Sequence, residues 1–235
     1  RYALKKIANY GHVYGITKPD KTNIVSEIFK ARTWFNNHRV PNTDRIIYTP
    51  ASFTPEIMLS DEWIGLDNLA GKQLPTGVIG RVAGFTIVEV PDDMFDSNHF
   101  FTAVHENAVA FPYKINTGKI HTDPVGISGA VIEGRQLYDV FVLGSKANAV
   151  YSAVATAAKL ATPTITDTTV SAVTLESSGA SKIYYTLDGS DPRFSMSRDV
   201  YTGAFDATSK TVKAVAMDTD GKFSSDVASK DVADS

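Results

Sequence analysis

The chain has 235 residues, 43% of them hydrophobic and 21% charged, so it is long enough to bury a sizeable core and too apolar to be disordered. A net charge of −3 gives neither a broad basic field for nucleic acid nor a polybasic membrane signal, and the absence of cysteine excludes disulfides and thiolate metal sites. The longest weakly polar stretch, 147–158, is too short to span a bilayer, which argues against a membrane partner.

The start, Arg1-Tyr2-Ala3-Leu4-Lys5-Lys6, has no initiator Met and no apolar signal core, which predicts a chain trimmed from something longer. Residues 23–37 then fit an amphipathic helix. Ile24, Ile28, Ala31 and Phe35 recur on one stripe, and Asn23 or Thr22 stands at the cap position. Arg45 to Thr49 reads as a short buried strand. A second helix starts at Thr54, with Pro55 at its first position and Phe53 and Met58 placed to staple it.

Gly84 to Val90 is a strand closed by Pro91, and the glycine-rich stretch before it (Gly77, Gly80) reads as the turn that feeds it. Phe100 to Val104 and Ala108 to Tyr113 are strand-like. Leu137 to Leu143 predicts a strong strand, turning at Gly144-Ser145-Lys146 and returning antiparallel as Ala149 to Val154. Helix and strand runs are segregated, which predicts an α+β domain over residues 1–155.

The composition changes near residue 156. Both Trp and all five His precede it, whereas Thr, Ser, Asp, Ala and Val dominate after it. Residues 1–155 carry 15 basic and 15 acidic residues; residues 156–235 carry 8 and 11, so the net charge belongs to the C-terminal part. The Ala- and Thr-rich stretch 156–162 reads as a linker. Beyond it, Ile183, Tyr185 and Leu187 alternate with polar neighbours, Asp188 to Pro192 forms a tight turn, and Val212, Ala214 and Ala216 alternate before the hairpin turn Asp218-Thr219-Asp220-Gly221. Residues 163–235 therefore predict a small all-β sandwich.

Catalytic and metal patterns fail on inspection. His105-Glu106-Asn107-Ala108-Val109 begins like a zinc-protease motif, but Val109 stands where the second imidazole is needed. His99 and His105 read as hydrogen-bonded or exposed histidines. Gly126-Ile127-Ser128-Gly129 has the wrong spacing for a nucleophile elbow, and His121, Asp123 and Ser128 are close only in sequence. Asp92, Asp93 and Asp96 read as a solvated loop. Asp218, Asp220 and Asp226 lack the remaining ligands of a calcium loop, since Lys222 and Ser229 occupy those places. The expectation is a protein without catalytic residues, cofactor or metal.

The order Tyr2 to Ala8, Asn23 to Phe35, Val40-Pro41-Asn42-Thr43-Asp44-Arg45 with the strand to Pro50, Gly77 to Phe85, and Glu133 to Leu143 followed by Lys146 to Tyr151 resembles the tailed-bacteriophage major capsid proteins over roughly residues 1–155. Ile183 to Pro192, Tyr201 to Phe205, Val212 to Ala216 and Gly221 to Ser225 are similar to the chitobiase/β-hexosaminidase C-terminal domain, a small immunoglobulin-like module without catalytic residues of its own. The resemblance implies an α+β phage coat domain, lacking that family's N-terminal arm, extended loop and spine helix, followed by an immunoglobulin-like sandwich.

It further implies a shell subunit of an icosahedral capsid that assembles with other coat subunits, with scaffolding and portal proteins as partners and packaged DNA at the inner face. The location would be the virion, and the host cytoplasm during assembly. The sandwich would be displayed outside for weak adhesion to host surfaces or glycans, with Tyr184 and Tyr201 as glycan contacts. Half-buried sandwich tyrosines are the plainer reading of those two residues. The alternative functions are a secreted bacterial carbohydrate-binding accessory protein and, more remotely, a hydrolase using the 121–128 loop.

Overall fold

The computed structural model describes residues 2–60, 78–122, 124–126, 128–169 and 172–233. Helix α1 (Tyr2–Tyr10) buries Leu4, Ile7 and Ala8 on one stripe and leads into strand β1 (His12–Ile16). Helix α2 (Ile24–Asn37) forms where the apolar period predicts it, and Ile24, Ile28, Ala31 and Phe35 are all buried. Asn23 takes the cap position, as expected, but its side chain makes no capping bond. Asp20 holds the turn that leads in: its carboxylate accepts from the backbone N–H of Thr22 (2.8 Å) and Asn23 (3.1 Å), while its carbonyl accepts from Ile24 (3.0 Å). Beyond its last residue, Asn37, Arg39 takes a left-handed conformation (φ 56°) that stops the helix, and the Val40 N–H returns to the Phe35 carbonyl at 2.9 Å.

Strand β2 (Arg45–Pro50) opens with a buried arginine. The Arg45 guanidinium donates to the carbonyls of Pro41 (2.7 Å) and Val40 (2.6 Å) and to Asn36 Oδ1 (2.9 Å), and it lies over the rings of Phe35 and Phe85. That one side chain ties the end of α2 to the sheet. The next helix, α3 (Thr54–Met58), is a short turn, and its predicted signals work differently. The buried Thr54 hydroxyl makes no capping bond, Met58 is exposed, and Phe53 packs edge-on against Phe100 instead of stapling the helix.

Strands β3 (Val78–Val82) and β4 (Phe85–Val90) form a hairpin, so the expected feeding turn is itself a strand. Ala83 (φ 50°) and Gly84 (φ 85°) supply the two left-handed residues of its turn. Gly77 lies outside the described residues. The chain continues through β5 (His99–His105), β6 (Val109–Ala110), β7 (Tyr113–Thr122), β8 (Ala130–Tyr138), β9 (Phe141–Val142) and β10 (Val150–Ala155).

One six-stranded mixed sheet has the order β1-β10-β5-β2-β4-β3, with β1/β10 and β2/β4 parallel and the other pairs antiparallel. Ile47, Ile87, Ala103 and Tyr151 share one face, where Phe35 of α2 meets Phe85 at 5.5 Å. The other face carries Ser152, whose hydroxyl donates to the Ala8 carbonyl of α1 at 3.2 Å. The sheet is thus sandwiched between α2 and α1. The expected hairpin between 137–143 and 149–154 does not form. Residue 138 ends β8, β9 pairs with β6, and β10 inserts between β5 and β1. The missing partner of residues 130–138 is β7, which makes a two-stranded ribbon separate from the main sheet.

The C-terminal part contains β11 (Thr164–Thr169), β12 (Ala172–Glu176), β13 (Lys182–Thr186), β14 (Asp199–Val200), β15 (Thr211–Met217) and β16 (Ala228–Asp231). A two-stranded sheet β11-β12 packs on a four-stranded sheet β14-β13-β15-β16. Leu175, Ile183 and Ala214 meet with Ile165 and Phe205 in one cluster, and Val173, Val212, Ala207 and Val232 form the other. Alternation works here because one face of each strand is buried and the other is wet. The whole is a mixed α/β chain dominated by strands.

Candidate functional site

The sequence motifs disperse. His105 closes β5, buried, with its Nδ1 accepting from the Asn107 N–H (3.2 Å); Glu106 to Ala108 form a 3-10 turn and not the α-helix a zinc motif requires. His99 sits at the other end of the same strand, its Nε2 against Thr102 Oγ1 (2.8 Å), and burial lowers its pKa to about 4. His121 Nε2 pairs across the ribbon with Glu133 (2.9 Å), and Ser128 is exposed in the loop; Asp123 lies outside the described residues. Among the described residues no group of three or more His, Asp or Glu side chains converges as a metal site.

The acidic clusters are structural. Asp92 accepts from the Ser52 N–H (2.9 Å), and Asp96 is held between Lys5 (2.5 Å) and Lys222 (2.9 Å). Asp218 folds its own turn, accepting from the Lys222 N–H and from Ser224 Oγ (both 2.8 Å), while Asp226 pairs with Lys159 (2.7 Å).

Two features stand out instead. The first is the seam where the C-terminal sandwich meets α1 and β1. Arg193 is almost wholly buried there: it pairs with Asp191 (2.7 Å) and donates to the Gly11 carbonyl (3.1 Å). Phe194 packs into the core of the first domain, its ring 5.5 Å from Tyr10, and Asn9 Oδ1 accepts from the Phe223 N–H (2.8 Å). Leu160 donates to the Ser224 carbonyl (2.8 Å), so the connecting segment is bonded to the sandwich. His12 lies beside this seam, its Nε2 on Asn148 Oδ1 (2.7 Å), and burial and the charge of Arg193 lower its pKa to about 4. A polar cleft of about 300 Å³ remains between the domains, lined by Lys5, Asp96, His99, Asp218 and Lys222.

The second feature is the β7–β8 ribbon. Its strands pair from Tyr113/Tyr138 to Thr122/Ala130, and nearly every residue is exposed, including Ile120 (69%) and Ile132 (79%). An isolated two-stranded ribbon is at best marginally stable in water, so such a surface calls for a neighbour.

Tyr184 and Tyr201 do not form a common platform. Tyr184 lies under the Arg198 guanidinium (5.0 Å) and edge-on to Phe223. Tyr201 packs edge-on against Phe205, the ring that Tyr185 stacks upon, which puts it on the opposite face of β13. Neither the seam residue Arg193 nor the ribbon was signalled by any motif. A buried arginine and an exposed strand pair look the same in sequence as surface positions.

A protein-family model described as Fn3 associated matches residues 173–232. No curated protein matches the chain. Among solved structures, the chain is similar to one of Mycobacterium phage Che8 at 22% identity, with 64% of this chain and 55% of that chain covered and a TM-score of 0.48. It is also similar to the capsid of the cyanophage P-SCSP1u (14% identity, 62% and 53% covered, TM-score 0.47) and to the mature capsid of bacteriophage PhiM1 (12% identity, 65% and 58% covered, TM-score 0.47). The chain spans a little over half the length of these relatives.

Proposed function

We propose that the chain is a non-enzymatic structural subunit of a tailed-phage icosahedral capsid, working in the virion and assembling in the host cytoplasm. The observation that carries this reading is the run of coat-like segments from Tyr2 to Tyr151, which fold in order into α1, α2, the mixed sheet and a projecting ribbon. A ribbon exposed along its length and a near-neutral first domain suit a protein that packs tightly against copies of itself. Scaffolding and portal proteins and the packaged DNA are the further partners this role entails.

The chitobiase-like, immunoglobulin-type sandwich is the part we place on the shell exterior. It carries the whole net negative charge and is held to α1 and β1 by a bonded seam. Weak glycan adhesion would then run through Tyr184 or Tyr201 singly. Alanine variants of each that bind a glycan array unchanged would remove that part of the proposal.

The test of the coat role is expression of the complete gene beside this 235-residue chain, each imaged by negative-stain electron microscopy. Closed shells or rings from the complete gene are expected. Monodisperse monomers from the complete gene, co-expressed with its genomic neighbours, would overturn the coat reading.

A further inference from the structure

The last row of the main sheet beneath the C-terminal end of α2 brings together two buried donor groups and no acceptor that answers both. Arg45 opens β2, His105 closes β5, and the register sets them directly opposite each other. They share the face that carries Ile47 and Ala103, two residues along each strand. Each is only 3% exposed.

The Arg45 guanidinium uses its Nε–H and Nη2–H groups on Pro41, Val40 and Asn36, which leaves Nη1 without a partner among the described residues. Those three acceptors are uncharged, and so are the rings of Phe35 and Phe85 beneath it. Among the described residues no carboxylate pairs with Arg45. Burial and the charge of Arg32 both lower its pKa, the direction an unneutralised cation gives. A buried charge without a counter-charge is strongly destabilising.

His105 makes the same demand. Its Nδ1 accepts from the Asn107 N–H (3.2 Å), so the neutral ring carries its proton on Nε2. That Nε2–H is buried and has no acceptor, whereas buried donors in native proteins are nearly always satisfied. Residues 41–44 and 106–107, which flank the row, are exposed, so the row lies close to solvent. The carboxylates nearby do not fill the need. Glu106 lines a groove on the opposite face with Ile46 and Tyr48, and Asp44 offers only its backbone carbonyl, to the Glu106 N–H (3.1 Å).

We propose that Arg45 and His105 form a binding site for one small monovalent inorganic anion of halide size, held between Arg45 Nη1 and His105 Nε2–H. The ion neutralises the guanidinium and gives both donors an acceptor. One positive charge and two donor groups match a single spherical anion; phosphate would bring a second charge and further oxygens that nothing in the row answers. The proposal goes beyond the coat reading and is tested on this chain alone.

Chloride is titrated into the 235-residue chain at neutral pH, replacing gluconate at constant ionic strength. The unfolding temperature is expected to rise saturably with chloride and with bromide, and not with phosphate. In nitrogen–proton spectra of the folded chain, the His105 Nε2–H resonance should shift over the same range of chloride. His105→Phe keeps a ring and removes the donor, so the chloride midpoint should rise at least about tenfold. A response to chloride no greater than to gluconate, a response to phosphate alone, a His105 resonance that does not move, or an unchanged midpoint in His105→Phe would each overturn the proposal, whether or not the complete gene builds a shell.

Discussion

His12 and His99 are both held neutral by their surroundings, and both pKa values fall to about 4 from an ordinary 6.5. Between those limits the unfolded chain binds more protons than the folded one, so their contribution is full above about pH 6.5 and lost as pH falls to about 4. Each is worth on the order of 1–3 kcal/mol, the lower figure allowing for the part of each ring that faces solvent. Thermal unfolding should therefore weaken steadily from pH 6.5 to 4, and His12→Gln should flatten part of that slope. Ile28, fully buried in α2, sets the opposite expectation: Ile28→Ala should cost about 2–5 kcal/mol at every pH, read by chemical denaturation. The identity of Ile28 as core was legible in the sequence because its neighbours repeat at helical spacing. Burial of His12 was not, since it depends on Asn148 and Arg193, which are distant in the chain.

At the scale of elements, the sequence signals report burial rather than pairing. α2 and β13 are read correctly because one face of each is buried and the other is wet. β7 was missed for the converse reason. Its residues Tyr113 to Thr122 mix Lys, Asn, Thr, Gly and His without apolar alternation, and its burial is almost nil. The error over 137–154 has the same origin: two apolar runs joined by a turn look like a hairpin, yet β10 pairs with β5 and β1. Asn23 keeps the cap position but Asp20, four residues before the apolar stripe begins at Ile24, supplies the side-chain acceptor for the turn that leads into α2. Asp20→Ala should lower the denaturation midpoint while leaving the slope of the transition unchanged.

Across the whole molecule, the two parts read as separate compositions are joined by a seam with its own buried ion pair. Arg193→Ala leaves Asp191 without its partner and the Gly11 carbonyl without its donor. The expected cost is about 2–4 kcal/mol, and calorimetry should split into two transitions as the sandwich uncouples. A single transition at the original temperature would mean that the seam carries no coupling. The compositional break near residue 156 is a sequence-based division of the chain, but the seam joins Asn9 and Gly11 to Arg193 and Phe223, and nothing local in sequence links such distant positions.

The position of β10 governs the order in which the chain can be completed. A ribosome delivers β1 among the first residues of this stretch, whereas its sheet neighbour among the described residues, β10, emerges at the far end of the first domain. The entropy of closing so large a loop rises only with the logarithm of its length, so the closure itself is affordable and the waiting is not harmless. Until Val150 to Ala155 arrive, β1 has no partner and β5 presents an open edge to any other nascent chain nearby. The strand that closes the sheet is followed almost at once by the sandwich, so synthesis of the second domain begins at the moment when the first can finally finish.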